Sequence, residues 1–154
     1  VPAYQHGLAN SYIELGNIQL QAGEVLSARD WFEKAIARFE ALVAAHPGVP
    51  DYQEGLGCAY GNVGAVLSDA GEVKAAREAY GKAIARFDAL VASHPGVPDY
   101  QEALAHGYSN LCNVIGGAGE AHAARESYER DRSQSGRIWR GSTLNFLTSR
   151  AARA

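Results

Sequence analysis

The phrase HPGVPDYQE occupies residues 46–54 and returns unchanged at 94–102, 48 positions later. The opening residues VPAYQ match the VPDYQ found at 49–53 and 97–101, so the copies begin at Val1, Val49 and Val97. A compact single core has no use for such repetition. Self-similarity at a period of 20–50 residues marks an array in which each unit buries its apolar face against its neighbours. Because the chain starts within the pattern and contains no methionine, it reads as a piece of a longer array.

Within the second copy, Tyr52, Leu56, Tyr60, Val63, Gly64 and Leu67 recur at spacings of three and four, which predicts an amphipathic helix over 51–70. Pro50 suits the helix entrance, and Gly71 supplies the permissive residue beyond its end. After the AGE turn, Val73, Ala76, Tyr80, Ala83, Ile84, Phe87, Leu90 and Val91 carry the helical period to Ser93, where HPGVP stops it. One unit is therefore two antiparallel helices, here called helix A and helix B. The expected fold is all-α: three such helix-turn-helix pairs at 1–48, 49–96 and 97–129, the last with a truncated second helix.

Tyr12, Leu15, Gly16, Gly23, Ala28, Phe32 and Ala35 resemble the tetratricopeptide repeat signature. The second copy repeats it at Tyr60, Val63, Gly64, Gly71, Ala76, Tyr80 and Ala83, and the third at Tyr108, Leu111, Gly119, Ala124 and Tyr128. Cys112 replaces the small glycine of helix A in the third copy. The resemblance covers residues 1–129 and implies a right-handed solenoid. It departs from the common form in length, 48 residues against about 34. Long repeats of this kind resemble arrays of bacterial multidomain proteins, often downstream of Ser/Thr kinase domains. The physical demands agree with it: small residues at Gly16, Gly64, Ala28 and Ala76 let paired helices approach, while aromatics fill the gaps.

The same resemblance places a peptide-binding groove on the concave face of helix A, at Asn10, Ile13, Asn17, Asn62, Ala65, His106, Ser109, Asn110 and Asn113, with Cys58 and Gly61 between them. Asn17 and Asn62 match two asparagines of the family's carboxylate clamp, but Ile13, His106 and Asn110 stand where its basic partners belong. Asn62 and Asn110 occupy equivalent positions and resemble the asparagine ladder by which some arrays hold a peptide backbone through paired amide bonds. Small and polar residues equally suit a merely solvated face.

Catalytic and metal chemistry find no pattern. His46 and His94 precede proline at a helix end, where an imidazole can complement the helix dipole, and Glu24, Glu72 and Glu120 follow the turn glycine as first-turn carboxylates. His6, His106 and His122 share no ligand spacing, no Gly-rich phosphate loop is present, and no serine has a base at a suggestive spacing. No enzyme activity, cofactor or metal is expected. Cys58 and Cys112, 54 residues apart, fit free thiols in a reducing, cytoplasmic compartment. No apolar run reaches membrane-spanning length.

Charge divides the chain. Residues 1–129 hold eight basic and sixteen acidic side chains, whereas 130–154 hold six arginines and one aspartate. The repeat pattern collapses at Asp131. Reread from the third base of each codon with permitted wobble, 131–148 can spell SLAVWKDLAGIHPELPDF, whose HP falls 48 residues after His94. The tail is thus expected to be an out-of-frame reading of the next joint, and its arginines are not a nucleic-acid site. The expected function is a protein-interaction scaffold taking a peptide or partner protein, with no membrane contact. The alternatives are a regulatory segment of a larger signalling enzyme such as a bacterial Ser/Thr kinase, and a structural spacer that self-associates through open end repeats.

Overall fold

A computed structural model of the chain describes residues 1–116. The second helix of the third copy at 117–129 and the tail at 130–154 lie outside the described residues. Among the described residues there are five α-helices and no strand: α1 Pro2–Gln21, α2 Val25–Ala45, α3 Pro50–Asp69, α4 Val73–Ser93 and α5 Pro98–Ile115.

Local chemistry sets these bounds. Proline stands at the start of α1, α3 and α5, where its missing N–H costs no helical bond. Val49 and Val97 just before it are extended, as the clash with the proline ring requires. Helices α1 and α3 close in the same way. Gly23 and Gly71 take positive φ, 81° and 75°, their N–H groups bond to Leu20 O and Ser68 O, and Glu24 and Glu72 N–H reach back to Gln19 O and Leu67 O at 2.8 Å. This double bond to otherwise orphaned carbonyls needs a left-handed residue. Helices α2 and α4 end at His46 and His94, whose N–H groups bond Leu42 O and Leu90 O at 2.8 and 2.7 Å, and the following proline cannot continue the ladder. The two imidazoles pack edge-on against Tyr52 and Tyr100 of the next helix, centroids 6.2 and 6.1 Å apart.

Glu24 and Glu72 sit one position earlier than a first-turn carboxylate, at the N-caps of α2 and α4, and make no side-chain cap bond. Glu72 instead meets Arg29 of α2 at 3.3 Å. Helix α5 stops at Ile115, two residues before the position in register with Asp69. Gly116 and Gly117 replace Ser68 and Asp69 there, and glycine is a poor helix former that permits the φ of 84° found at Gly116.

Each helix packs on the next in sequence, and α3 also touches both α1 and α5. Two apolar clusters form the interior. One gathers Phe32, Val66, Tyr80, Ile84, Phe87, Leu90, Leu104 and Leu111, the other Phe39, Leu42, Leu56, Tyr60 and Ala83. Phe32 and Phe39 are fully buried, each worth about 1.5–3 kcal/mol of hydrophobic stabilisation. The aromatic rings reach glycines. A β-carbon at Gly64 would lie 2.8 Å from Cδ1 of Tyr80, and one at Gly16 would overlap the ring of Phe32. The expectation that these glycines allow close helix approach is met in both units.

Polar contacts repeat with the sequence. Arg38 donates to Gln5 at 3.4 Å, and Arg86, 48 residues on, donates to Gln53 at 3.2 Å. Both bonds tie a second helix to the first helix of the same unit.

Candidate functional site

In each of α1, α3 and α5 the candidate residues lie on the stripe at i, i+3, i+4 and i+7 of a helix, which on α1 also takes in Glu14, not one of the candidates. The stripes are Asn10, Ile13, Glu14 and Asn17; Cys58, Gly61, Asn62 and Ala65; and His106, Ser109, Asn110 and Asn113. Because α3 touches both α1 and α5, the three stripes run on neighbouring helices. Asn10, His106, Asn110 and Asn113 are exposed, while Asn17, Asn62, Ala65 and Ser109 are half-buried. Ile13 differs in kind, packing against both apolar clusters, so it contributes to the interior more than to a polar surface.

Hydrogen bonding separates the polar members. Asn10 Nδ2 lies 3.2 Å from His6 Nε2, and His106 Nε2 lies 3.5 Å from a Glu102 oxygen. Both are surface contacts one helical turn apart, worth a few tenths of a kcal/mol. The amides of Asn17, Asn62, Asn110 and Asn113 make no hydrogen bond among the described residues. Each primary amide offers two donors and an acceptor, so the stripes hold unspent capacity suited to a peptide group.

The N-terminal ends of α3 and α5 add charge that the sequence reading left out. Asp51 and Asp99 occupy the first turns of α3 and α5. Glu54 is half-buried; partial burial, then repulsion from Asp51 and Asp99, raises its carboxyl above the usual range. Burial by surrounding protein and the nearby Glu54 charge likewise raise the Cys58 thiol, although Cys58 still meets solvent. A raised thiol is a poor nucleophile at neutral pH. PDYQE at 50–54 and 98–102, with two carboxylates one helical turn apart, was the signal for this acidic cluster; the first copy reads PAYQH and has neither.

Among the described residues, no three His, Cys, Asp or Glu side chains gather as a metal ion would require, and no helix is long and apolar enough to cross a membrane. Two open concavities lie along α4, the second reaching Leu111 of α5. One is lined by Glu72, Val73, Lys74, Ala75 and Glu78; the other adds Arg77, Gly81, Lys82, Ala85 and Leu111. Their walls are mobile-length lysine, arginine and glutamate side chains without a convergent set of buried polar groups, so the amide stripes remain the better candidate site. No protein-family model, curated protein or solved structure matches the chain.

Proposed function

We propose that the chain is a tetratricopeptide-like solenoid of helix pairs that serves as a protein-interaction scaffold in the cytoplasm, without catalysis of its own. It takes an extended peptide across the stripes of α1, α3 and α5. The observation that carries this reading is the set of amides at Asn17, Asn62, Asn110 and Asn113, which have no partner among the described residues and recur on adjoining helices of a repeated architecture. Asn62 and Asn110 stand 48 residues apart, in register. Their amides pair with the backbone of the ligand, which makes recognition tolerant of its side chains.

The acidic cluster at Asp51, Glu54 and Asp99 favours a ligand with a lysine or arginine at that end, since opposite charge speeds and orients encounter. The free thiols of Cys58 and Cys112 accord with a reducing compartment. The test is a titration of the isotope-labelled chain with peptides from a basic-residue library, followed through side-chain amide NMR signals. Selective shifts of the Asn62 and Asn110 amide protons support the reading. Saturable binding that leaves both unmoved places the ligand elsewhere.

A further inference from the structure

The register that aligns Asn62 of α3 with Asn110 of α5 brings Glu14 of α1 to the same place, 48 residues before Asn62. Glu14 shares its stripe with Asn10, Ile13 and Asn17, and it is exposed. Its carboxylate makes no hydrogen bond or ion pair among the described residues. Asn17, one turn further along the stripe, is half-buried with its amide equally unpartnered.

The three residues in register differ in chemistry. A primary amide both donates and accepts, so Asn62 and Asn110 can each pair with a peptide group, whereas an ionised carboxylate only accepts. A peptide carbonyl turned toward Glu14 would meet like charge with no donor between them. What complements Glu14 is a positive group rich in N–H donors, since hydrogen bonds between charged partners are shorter and about twice as strong as neutral ones. The side-chain oxygen of Asn17 is a second acceptor on the same stripe for such a group.

We infer that Glu14 sets the polarity of the bound peptide: it takes a cationic nitrogen group of the ligand, a basic side chain or the N-terminal amine, at the α1 end of the stripes, while Asn62 and Asn110 hold backbone. This rests on the peptide-groove reading and adds to it a second basic requirement, apart from the one at Asp51, Glu54 and Asp99, which belong to α3 and α5. Because Glu14 is exposed, the pairing weakens with salt and changes affinity by about threefold, as surface ion pairs do.

The probe is an array of short synthetic peptides of varied sequence, each made with a free and with an acetylated N-terminus, and read for binding of the labelled full chain. Peptides bound by the wild type are expected to share a lysine or arginine at one position, or to require the free amine. Either pattern supports the inference, and acetylation tells the two sources apart. Glu14→Gln should weaken these peptides about threefold. Glu14→Lys should weaken them further and turn the preference at that position to aspartate or glutamate, because like charges across an interface repel. Melting temperatures should stay at the wild-type value, since Glu14 is exposed and unpaired. The inference is overturned if Glu14→Lys binds the same peptides with the same charge preference. Weak binding by Asn62→Ala/Asn110→Ala alongside an unchanged Glu14→Lys would leave the groove standing and remove only the role of Glu14. Wild-type affinity in Asn62→Ala/Asn110→Ala, or an array with no bound peptide, would overturn the groove reading and this inference with it.

Discussion

Tyr60 joins three helices. Its hydroxyl donates to the Glu40 carboxylate on α2, and the Lys82 ammonium of α4 sits 5.1 Å from its ring centre. Burial first, then the bond to Glu40, pushes its pKa up to about 12, whereas an unfolded tyrosine ionises near 10. Below about pH 10 the phenol is neutral in both states, and its contribution to stability is fully present. Between pH 10 and 12 the unfolded chain gives up the proton and the folded one resists, so stability falls as pH rises, by on the order of 2 kcal/mol from this residue. Tyr80 and Tyr100 are shifted in the same direction, mainly by burial. Urea unfolding should therefore show a steep loss of stability between about pH 10 and 12. Tyr60→Phe should be about 1 kcal/mol less stable at pH 7 but lose less on going to alkaline pH; parallel profiles for the two proteins would rule the account out.

Glycine at this scale has two opposite roles. Gly64→Leu drives a branched side chain into the Tyr80 ring and should cost about 1–3 kcal/mol. Gly7→Ala meets nothing within 4 Å and should leave stability unchanged or raise it by about 0.5–1 kcal/mol, the ordinary gain from replacing helical glycine. Thermal melting of the two variants checks both signs. The sequence made the Gly64 contact legible, because it recurs with Gly16 in a pattern of small residues facing aromatics. Gly55 under Phe39 and the partial burial of Glu54 were not legible, since both depend on how consecutive units nest and not on the period within one helix.

At the scale of elements, the joints are what the sequence specifies best. Periodicity and breakers predicted helices over 51–70 and 73–93, and the structure has them at Pro50–Asp69 and Val73–Ser93. Proline and glycine act locally, through fixed φ or access to positive φ, so no tertiary knowledge was needed. The early stop of α5 is peculiar to the third copy, where Gly116 and Gly117 stand in place of Ser68 and Asp69 of α3. Gly71→Ala should cost about 1 kcal/mol, as the φ of 75° is unfavourable for any residue with a β-carbon. A chemical denaturation midpoint lowered accordingly, with an unchanged helical circular dichroism spectrum, is the expected result. The surface pair of Arg29 and Glu72 spans successive units at 3.3 Å, but with both side chains well exposed it should contribute well under 1 kcal/mol.

For the whole molecule, identical local solutions recur 48 residues apart: the glycine turns at Gly23 and Gly71, the histidine caps at His46 and His94, the arginine–glutamine ties at residues 38 and 86. Repetition of this kind puts residues in register on successive first helices, and α3 touches both α1 and α5. The alignment of Asn62 with Asn110 was legible from the period alone. The PDYQE phrase signals the acidic surroundings of that line, whereas the partial burial of Glu54 and the interior role of Ile13 came only from the packing of the helices. The measurement that bears most directly on the scaffold reading is calorimetric affinity for a peptide selected by display against the full chain, compared between wild type and Asn62→Ala/Asn110→Ala. The account predicts at least a tenfold loss in the double variant with an unchanged melting temperature; equal affinities, or a selection that yields no peptide for the wild-type chain, would contradict it.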